Sequence, residues 1–433
     1  VKGGGVERTC TGIMLMRDLL KQHGRLAGFV ILNMTNGTAV GLLYMTLPLF
    51  ALSIQATSAQ IGMIRGASGL GLLLLVIPVG FLVDRFGPKK LFLIGNFGVV
   101  LVIFLVSSIS IPSLLILLMF LEGISRSLKF TSISAAFFES LHQFGLEKSG
   151  WYKGSLSIGL TFIGPALGGV LLGILPFKPL FMLVIALMLL PSLLIFFIHT
   201  EPARQQPTEG FATEVRSQMQ EFAAIIRHRG LFRALSAEVL CAACLSTFTT
   251  FIVVLVVREW HLKPGAASLL LTLEGGAFIL TVFGAGHLVK KHGQRNSYLL
   301  SITIAVVGLV GLTLAQGITF LLFSSLLLGF GLGLINIITS SCAGIMKGEK
   351  GKVASLFAAA AGLGISFGPL VSGLVAQYLG VQAVFIAMAP LLILLGFSVY
   401  RGEPERCATL NKNALAFLPP FQGEGRGGDG VDG

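Results

Sequence analysis

Charged residues are scarce in this chain of 433 residues. Asp, Glu, Lys and Arg make up 12%, about half of the roughly 25% that is usual in soluble globular domains. Hydrophobic residues make up 54%. A soluble protein of this size needs more charge on its surface, so an ordinary soluble enzyme is disfavoured. The composition also excludes a disordered chain and a collagen-like fibre.

Cysteine is rare too, and several catalytic motifs are missing. The five cysteines do not show the paired spacing of an extracellular disulfide framework. Cys241 and Cys244 form a C-x-x-C pair in an apolar run without a nearby His, which favours small packing residues over a redox or metal site. The chain has no phosphate-binding GxxxxGKS/T loop, no HExxH and no GxSxG. We therefore predict no metal, no cofactor and no enzyme activity.

The chain contains many long apolar runs. A membrane-spanning helix needs about 20 apolar residues. Twelve runs of this kind lie near residues 27–53, 60–83, 90–109, 112–138, 152–174, 179–199, 232–257, 265–288, 297–315, 319–345, 353–379 and 382–400. A longer polar segment separates the sixth run from the seventh. The pattern predicts an all-α membrane protein of twelve transmembrane helices in two six-helix bundles.

The net charge of +12 is explained by topology. If both termini are cytoplasmic, 25 of the 31 Lys and Arg residues fall in inner loops and tails, and three fall in outer loops. This bias follows the positive-inside rule, so it favours a multi-pass inner-membrane protein over a nucleic-acid-binding one. The predicted parts are a cytoplasmic segment 1–25, a bundle 26–199, a cytoplasmic linker 200–230, a bundle 231–400 and a disordered cytoplasmic tail 401–433. The linker is predicted to form either an amphipathic helix on the inner membrane face or a packed connector without membrane contact.

The loop after the second run reads GFLVDRFGPKK, residues 80–90. A tight turn between antiparallel helices needs a glycine, here Gly87, and Gly80 would let a neighbouring helix approach closely. Asp84 can accept hydrogen bonds from the exposed N–H groups of another helix N-terminus. Arg85 and Lys89 would hold the loop on the inner side.

Two segments of the first half recur in the second. GHLVKKHGQR at 286–295 repeats the loop at an offset of 206, with both end glycines kept and Lys290 in the place of Asp84. GPALGG at 164–169 and GPLVSG at 368–373 are offset by 204. Both repeats indicate a duplicated six-helix unit. A Gly-Pro pair bends a span, and glycines nearby permit close packing; the residues concerned are Gly164, Pro165, Gly168, Gly169, Gly368 and Pro369.

The loop at 80–90 resembles the loop signature of the major facilitator superfamily of secondary transporters. The Gly-Pro motif resembles one associated with antiporters in that family, and GLLYMTLP at 41–48 resembles a pattern of its drug-efflux members. The resemblance covers about residues 26–400. It implies alternating access and proton-coupled efflux of a drug-like or metabolite molecule. It also implies that Asp84 latches the inward gate, and that Glu139 pairs there with Arg85.

Other functions stay open at this point. The chain could instead import a sugar or an organic acid with protons, or it could be a transport-inactive relative that serves as a sensor or assembly protein. In each transport reading the expected partners are the lipid bilayer, a small-molecule substrate and protons. We expect a monomer that binds no nucleic acid.

The fourth span departs from the efflux pattern, because Met119 stands where many members have an arginine. It carries instead Glu122, Arg126 and Lys129 along one helix face. We predict a pair between Glu122 and Arg126, acting either as a proton or substrate site or only as a self-neutralising pair. Lys129 is expected to reach the inner membrane surface.

Three further groups of span residues are of interest. Glu274 has no oppositely charged residue within one helical turn in the sequence. Its carboxyl group is expected either to bind and release a proton or to stay in a fixed hydrogen bond between helices. Arg65 and Glu238 are expected near the membrane surfaces. In the family, helices 1, 4, 7 and 10 line the central cavity, so the resemblance implies that polar residues on these helices contact the substrate. Hydrogen bonding between helices is the alternative role for these residues. The candidates are Asn33, Asn36, Tyr44, Thr247, Asn336 and Thr339.

Overall fold

A computed structural model of the protein describes residues 4–144, 154–196, 229–345 and 350–401. Side chains are described in these ranges except at residues 4–25, 77, 81, 84, 138–144, 229–230, 290, 341–345 and 350–355. No strand occurs in the described ranges. Most of the linker 200–230, with its predicted amphipathic helix, and the tail after residue 401 lie outside the described residues.

The described ranges hold twelve long helices, which we number α1 to α12. The first six are α1 (Gly4–Ser53), α2 (Ser58–Phe86), α3 (Pro88–Val106), α4 (Pro112–Phe144), α5 (Gly154–Leu171) and α6 (Phe177–Leu194). The second six are α7 (Arg229–Val254, extended by the π-helical turn Leu255–Glu259), α8 (Pro264–Gly284), α9 (Gln294–Leu314), α10 (Ile318–Ile345), α11 (Lys350–Leu379) and α12 (Ala383–Arg401). A short helix, Gly286–His292, connects α8 to α9. Each predicted span corresponds to one long helix.

Eleven of these helices are long and apolar enough to cross a membrane. The exception is α4, because Glu122, Arg126 and Lys129 all fall within the middle of that helix. Large apolar side chains also face outward, such as Phe97 at 68% and Leu280 at 69% exposed. Lipid is the favourable surrounding for such a surface. The architecture is that of a membrane protein with twelve spanning helices, as the sequence predicted.

The two related loops have the same backbone conformation. Gly87 ends α2 with φ 81° and ψ 149°, and Gly293 precedes α9 with φ 76° and ψ 158°. A residue with a Cβ is strained at such positive φ, whereas glycine is not. Pro88 then begins α3, where its missing N–H is harmless. The sequence repeat at an offset of 206 is thus a structural repeat.

The Gly-Pro helices are also equivalent in their packing. On α5, a Cβ added at Gly164 would lie 2.7 Å from the Cα of Gly41 on α1. On α11, a Cβ added at Gly368 would lie 2.8 Å from the Cα of Ala243 on α7. In both halves the fifth helix therefore packs directly on the first. This confirms the two pseudo-symmetric bundles.

Two helix pairs make the main described contacts between the halves. On one side α2 packs against α11, where a Cβ added at Gly373 would lie 2.9 Å from the Cα of Gly62. On the other side α5 packs against α8, where Ser268 Oγ donates to the Pro165 carbonyl at 2.7 Å. All four residues lie in the membrane half nearest the loop 54–57. These contacts join the two halves near the end of the bundle that holds the loop 54–57.

A π-helical segment, Ile158–Ile163, interrupts α5 immediately before Pro165. The N–H of Gly164 bonds to the carbonyl of Gly159, five residues back. Pro165 has no N–H, so it cannot supply the usual α-helical donor to the carbonyl of Thr161. Gly275 of α8 packs against this carbonyl. The irregular turn of α5 thus forms part of the contact between the halves.

Candidate functional site

A group of polar and charged side chains lies between three helices of the first half. It consists of Tyr44 on α1, Arg65 and Ser68 on α2, and Glu122 and Arg126 on α4, and we call it the Arg65–Arg126 cluster. Tyr44 is half-buried, and the other four are buried. Ionisable side chains inside spanning helices are costly, and they usually mark a substrate or proton pathway.

Two glycines bring α2 and α4 close enough for these side chains to meet. The Cα of Gly71 packs against the carbonyl of Phe120, and the Cα of Gly123 packs against the carbonyl of Ser68. A Cβ at either position would overlap that carbonyl. Because Ser68 lies at this close approach, its hydroxyl reaches the carboxylate of Glu122.

The cluster is connected by hydrogen bonds. Ser68 Oγ donates to Glu122 Oε2 at 2.6 Å and accepts from Arg126 Nη2 at 2.8 Å. Arg126 Nη1 donates to the hydroxyl of Tyr44. Arg126 Nε lies 3.5 Å from Glu122 Oε1, which confirms the predicted ion pair. Glu122 and Arg126 are thus joined twice, directly and through Ser68, and Arg126 links α4 to α1 and α2.

Arg65 lies near the beginning of α2, but it is buried between helices, which corrects the expectation that it extends to the membrane surface. It is 5% exposed, and its Cζ is 3.2 Å from the centre of the Tyr44 ring. Its Nη1 is buried and has no hydrogen-bond partner among the described residues. The rotation of α2 explains the difference, because Arg65 shares with Ser68 the face that meets α1 and α4.

Lys129 is also buried, at 2% exposed, which corrects the expectation that it reaches the membrane surface. It lies where α3 packs on α4, and a Cβ added at Gly95 would be 2.5 Å from its backbone nitrogen. Glu122 lies within electrostatic range of both Lys129 and Arg65. The predicted stripe on α4 therefore faces the protein interior along its whole length.

The acidic residues of the second half are separate from the cluster. Glu274 on α8 is 1% exposed, and its Oε1 has no hydrogen-bond partner among the described residues. No salt bridge joins it to a described residue. Glu238 on α7 is 8% exposed, so it is buried rather than interfacial, and its Oε2 accepts from Thr339 Oγ1 on α10 at 3.1 Å.

The polar residues expected to line a cavity occupy different settings. Tyr44 belongs to the Arg65–Arg126 cluster. Thr247 shares a hydrogen bond of 3.0 Å with the Ser372 hydroxyl, so it joins α7 to α11, as the interhelical alternative predicts. Asn33 and Asn36 are buried on α1, and Asn36 Oδ1 has no hydrogen-bond partner among the described residues. Asn336 is half-buried on α10, one turn from Thr339.

The loop motif is described in part. Arg85 is exposed, and the ammonium of Lys89 lies 4.6 Å from the centre of the Phe196 ring. A Cβ added at Gly80 would meet no described atom within 4 Å, so the described residues do not provide the expected close helix contact there. The side chains of Asp84 and Glu139 lie outside the described residues. Their roles at the inner gate stay predictions.

Two members of the cluster were not predicted from the sequence as site residues, Arg65 and Ser68. Their spacing of three residues on α2 was the available signal, since it places both on one helix face. Glycines at positions 66, 69 and 71 border that face, and such small residues mark a helix that packs closely. Which face meets α4 follows from tertiary packing.

The family is decided by comparison with known proteins. The model of the Major Facilitator Superfamily matches residues 29–258 and 237–421. The chain belongs to this superfamily. With this fold it is a membrane-spanning transporter rather than an enzyme.

Individual relatives of this superfamily member are distant. A multi-drug resistance efflux pump PmrA homolog from Lactococcus lactis subsp. lactis (strain IL1403) is 25% identical over 261 residues, which are 57% of this chain and 62% of that protein. The crystal structure of the nucleoside transporter NupG has a TM-score of 0.70 at 16% identity, covering 87% of this chain and 99% of that one. The human organic anion transporter MFSD10 (TETRAN) has a TM-score of 0.65 at 18% identity, with coverage of 87% and 99%. These structures share the fold.

Proposed function

We propose that this transporter exports a small drug-like or metabolite molecule in exchange for protons, by alternating access of its two halves. Both termini are cytoplasmic in this proposal, and the protein lies in the inner membrane. One copy suffices, because both halves belong to a single chain. The relative described as a multi-drug efflux pump supports export, and the strong excess of basic residues in the predicted inner loops supports the orientation.

The observation that carries proton coupling is the position of Glu122. Its carboxylate is buried, pairs with Arg126 and accepts from Ser68. A proton on Glu122 removes the charge that holds Arg126, so it changes the contacts between α4, α2 and α1 together. Glu274 is the other buried candidate, but it has no salt bridge to a described residue that protonation would break. Glu122 is therefore the proposed proton site.

Everted membrane vesicles test direction and coupling together. Respiration acidifies the lumen, and fluorescent dyes of both charges, the cationic rhodamine 123 and the anionic carboxyfluorescein, are added outside. An exporter moves dye into the acidic lumen while protons leave, and a protonophore stops this movement. The control vesicles come from cells without the protein.

Each alternative gives a different result in these vesicles. A proton-coupled importer moves preloaded substrate, such as a labelled sugar or organic acid, out of the acidic lumen. A transport-inactive protein moves none of the compounds, with or without the gradient. Either result would contradict proton-coupled export.

A further inference from the structure

The buried charges of the first half do not balance. Its described buried side chains include three cations, Arg65, Arg126 and Lys129, and one anion, Glu122. An ionised group in a low-dielectric interior needs an opposite charge or several hydrogen bonds. One carboxylate cannot satisfy three cations in this way. The described buried residues of this half therefore carry an excess of positive charge.

Glu122 is already committed to one of these cations. Its Oε2 accepts from Ser68, and its Oε1 lies 3.5 Å from Arg126 Nε. The Cζ of Arg65 lies 3.2 Å from the centre of the Tyr44 ring, and its buried Nη1 has no hydrogen-bond partner among the described residues. An arginine with an open N–H donor is suited to a carboxylate, phosphate or sulfonate.

The acidic residues of the second half do not supply the missing charge. Glu238 is bonded to Thr339 across α7 and α10. Glu274 lies on α8, next to the contact of Gly275 with Thr161 on α5. Neither residue forms a salt bridge with a described cation. Glu122 lies within electrostatic range of Arg65 but forms its salt bridge with Arg126. No described carboxylate bonds to Arg65 Nη1, and the Tyr44 ring lies beside that guanidinium.

We propose that the Arg65–Arg126 cluster binds the anionic group of the transported molecule, and that the substrate class is organic anions with a carboxylate, phosphate or sulfonate. Arg65 and Arg126 contact opposite parts of Tyr44, the ring face and the hydroxyl. The anionic group lies against Arg65 beside this ring, where an aromatic part of the substrate can stack. This inference rests on the proposed transport function.

A matched ligand series tests the inference without any gradient. The purified full-length protein is heated in a non-ionic detergent with naphthalene compounds that differ only in their substituent. The anionic members are naphthoate, naphthyl phosphate and naphthalene sulfonate, and the others are naphthamide and naphthyl trimethylammonium. We expect the melting temperature to rise with at least one anionic member and not with the others. The rise should shrink with added salt.

Variants then assign the effect to Arg65. In Arg65→Gln the apparent affinity for the anionic member should fall at least tenfold, and Arg65→Lys should retain part of it. The matched control is Lys178→Gln, which removes an exposed cation outside the cluster and should leave binding unchanged. Size-exclusion profiles establish that each variant is folded. If Arg65→Gln does not fold, the ligand series on the unmodified protein remains decisive.

Three outcomes would overturn the inference: no stabilisation by any anionic member, equal stabilisation by the neutral or cationic members, or unchanged affinity in folded Arg65→Gln. None of these depends on direction or proton coupling. Conversely, loss of gradient-driven movement in vesicles would contradict the proposed export and leave anion binding intact. The two proposals therefore fail separately.

Discussion

The hydroxyl of Ser68 lies 2.6 Å from the carboxylate of Glu122 and ties α2 to α4 at the centre of the first bundle. The same oxygen accepts from Arg126, so one small side chain serves both members of the ion pair. The proposed proton site and the proposed anion site therefore share atoms with the packing of α2 on α4. Several measurable consequences follow from this arrangement.

Ser68→Ala should lower the free energy of unfolding by about 1–3 kcal/mol, because it leaves a buried carboxylate oxygen and an arginine N–H without their partner. Reversible unfolding by sodium dodecyl sulfate measures the change. Ser325→Ala is the matched control, since that buried hydroxyl bonds only to the carbonyl of Leu321 in its own helix. Equal stability of the two variants would contradict a linking role for Ser68.

Glu122→Gln should reduce gradient-driven dye movement in everted vesicles at least tenfold. Glutamine has a similar size but cannot carry the proton or pair with the charge of Arg126. Glu274→Gln, also a buried carboxyl change, should keep at least half of the movement. The reverse pattern, with loss only in Glu274→Gln, would move the proton site to α8.

Asp84→Asn should leave the protein folded and stall transport, because the amide lacks the charge that a helix N-terminus attracts. Size-exclusion profiles and vesicle assays measure the two parts separately. Full transport by this variant would remove Asp84 from the mechanism.

Gly275→Ala should weaken the contact between the halves, because its Cβ would overlap the carbonyl of Thr161. We expect a loss of about 1–3 kcal/mol in stability, as for other overpacked sites, together with slower transport. Gly276→Ala is the adjacent control, since a Cβ there would lie 3.6 Å from the Phe162 ring, an ordinary contact. Similar behaviour of both variants would show that α5 and α8 separate easily.

Much of the fold could be predicted from sequence, because hydropathy and repeats are local signals. The twelve spans, the paired turns at Gly87 and Gly293, and the ion pair between Glu122 and Arg126 follow from runs and spacings. The burial of Arg65 could not be predicted in this way, because the rotation of α2 depends on which neighbouring helices the glycines of α2 contact. The same holds for Gly80, beside which no helix among the described residues makes the predicted close contact.

The charges on α4 also bear on how the protein is made. A helix with three ionisable residues in its middle enters lipid poorly by itself, since each costs at least about 2.5 kcal/mol on insertion scales. Pairing with Arg126 and bonding to Ser68 lower the cost for Glu122, but the second of these partners is on α2. Insertion of α4 is therefore coupled to docking against a helix synthesised earlier. A weaker contact between α2 and α4 would therefore lower the amount of inserted protein before it lowered the transport rate of the inserted protein.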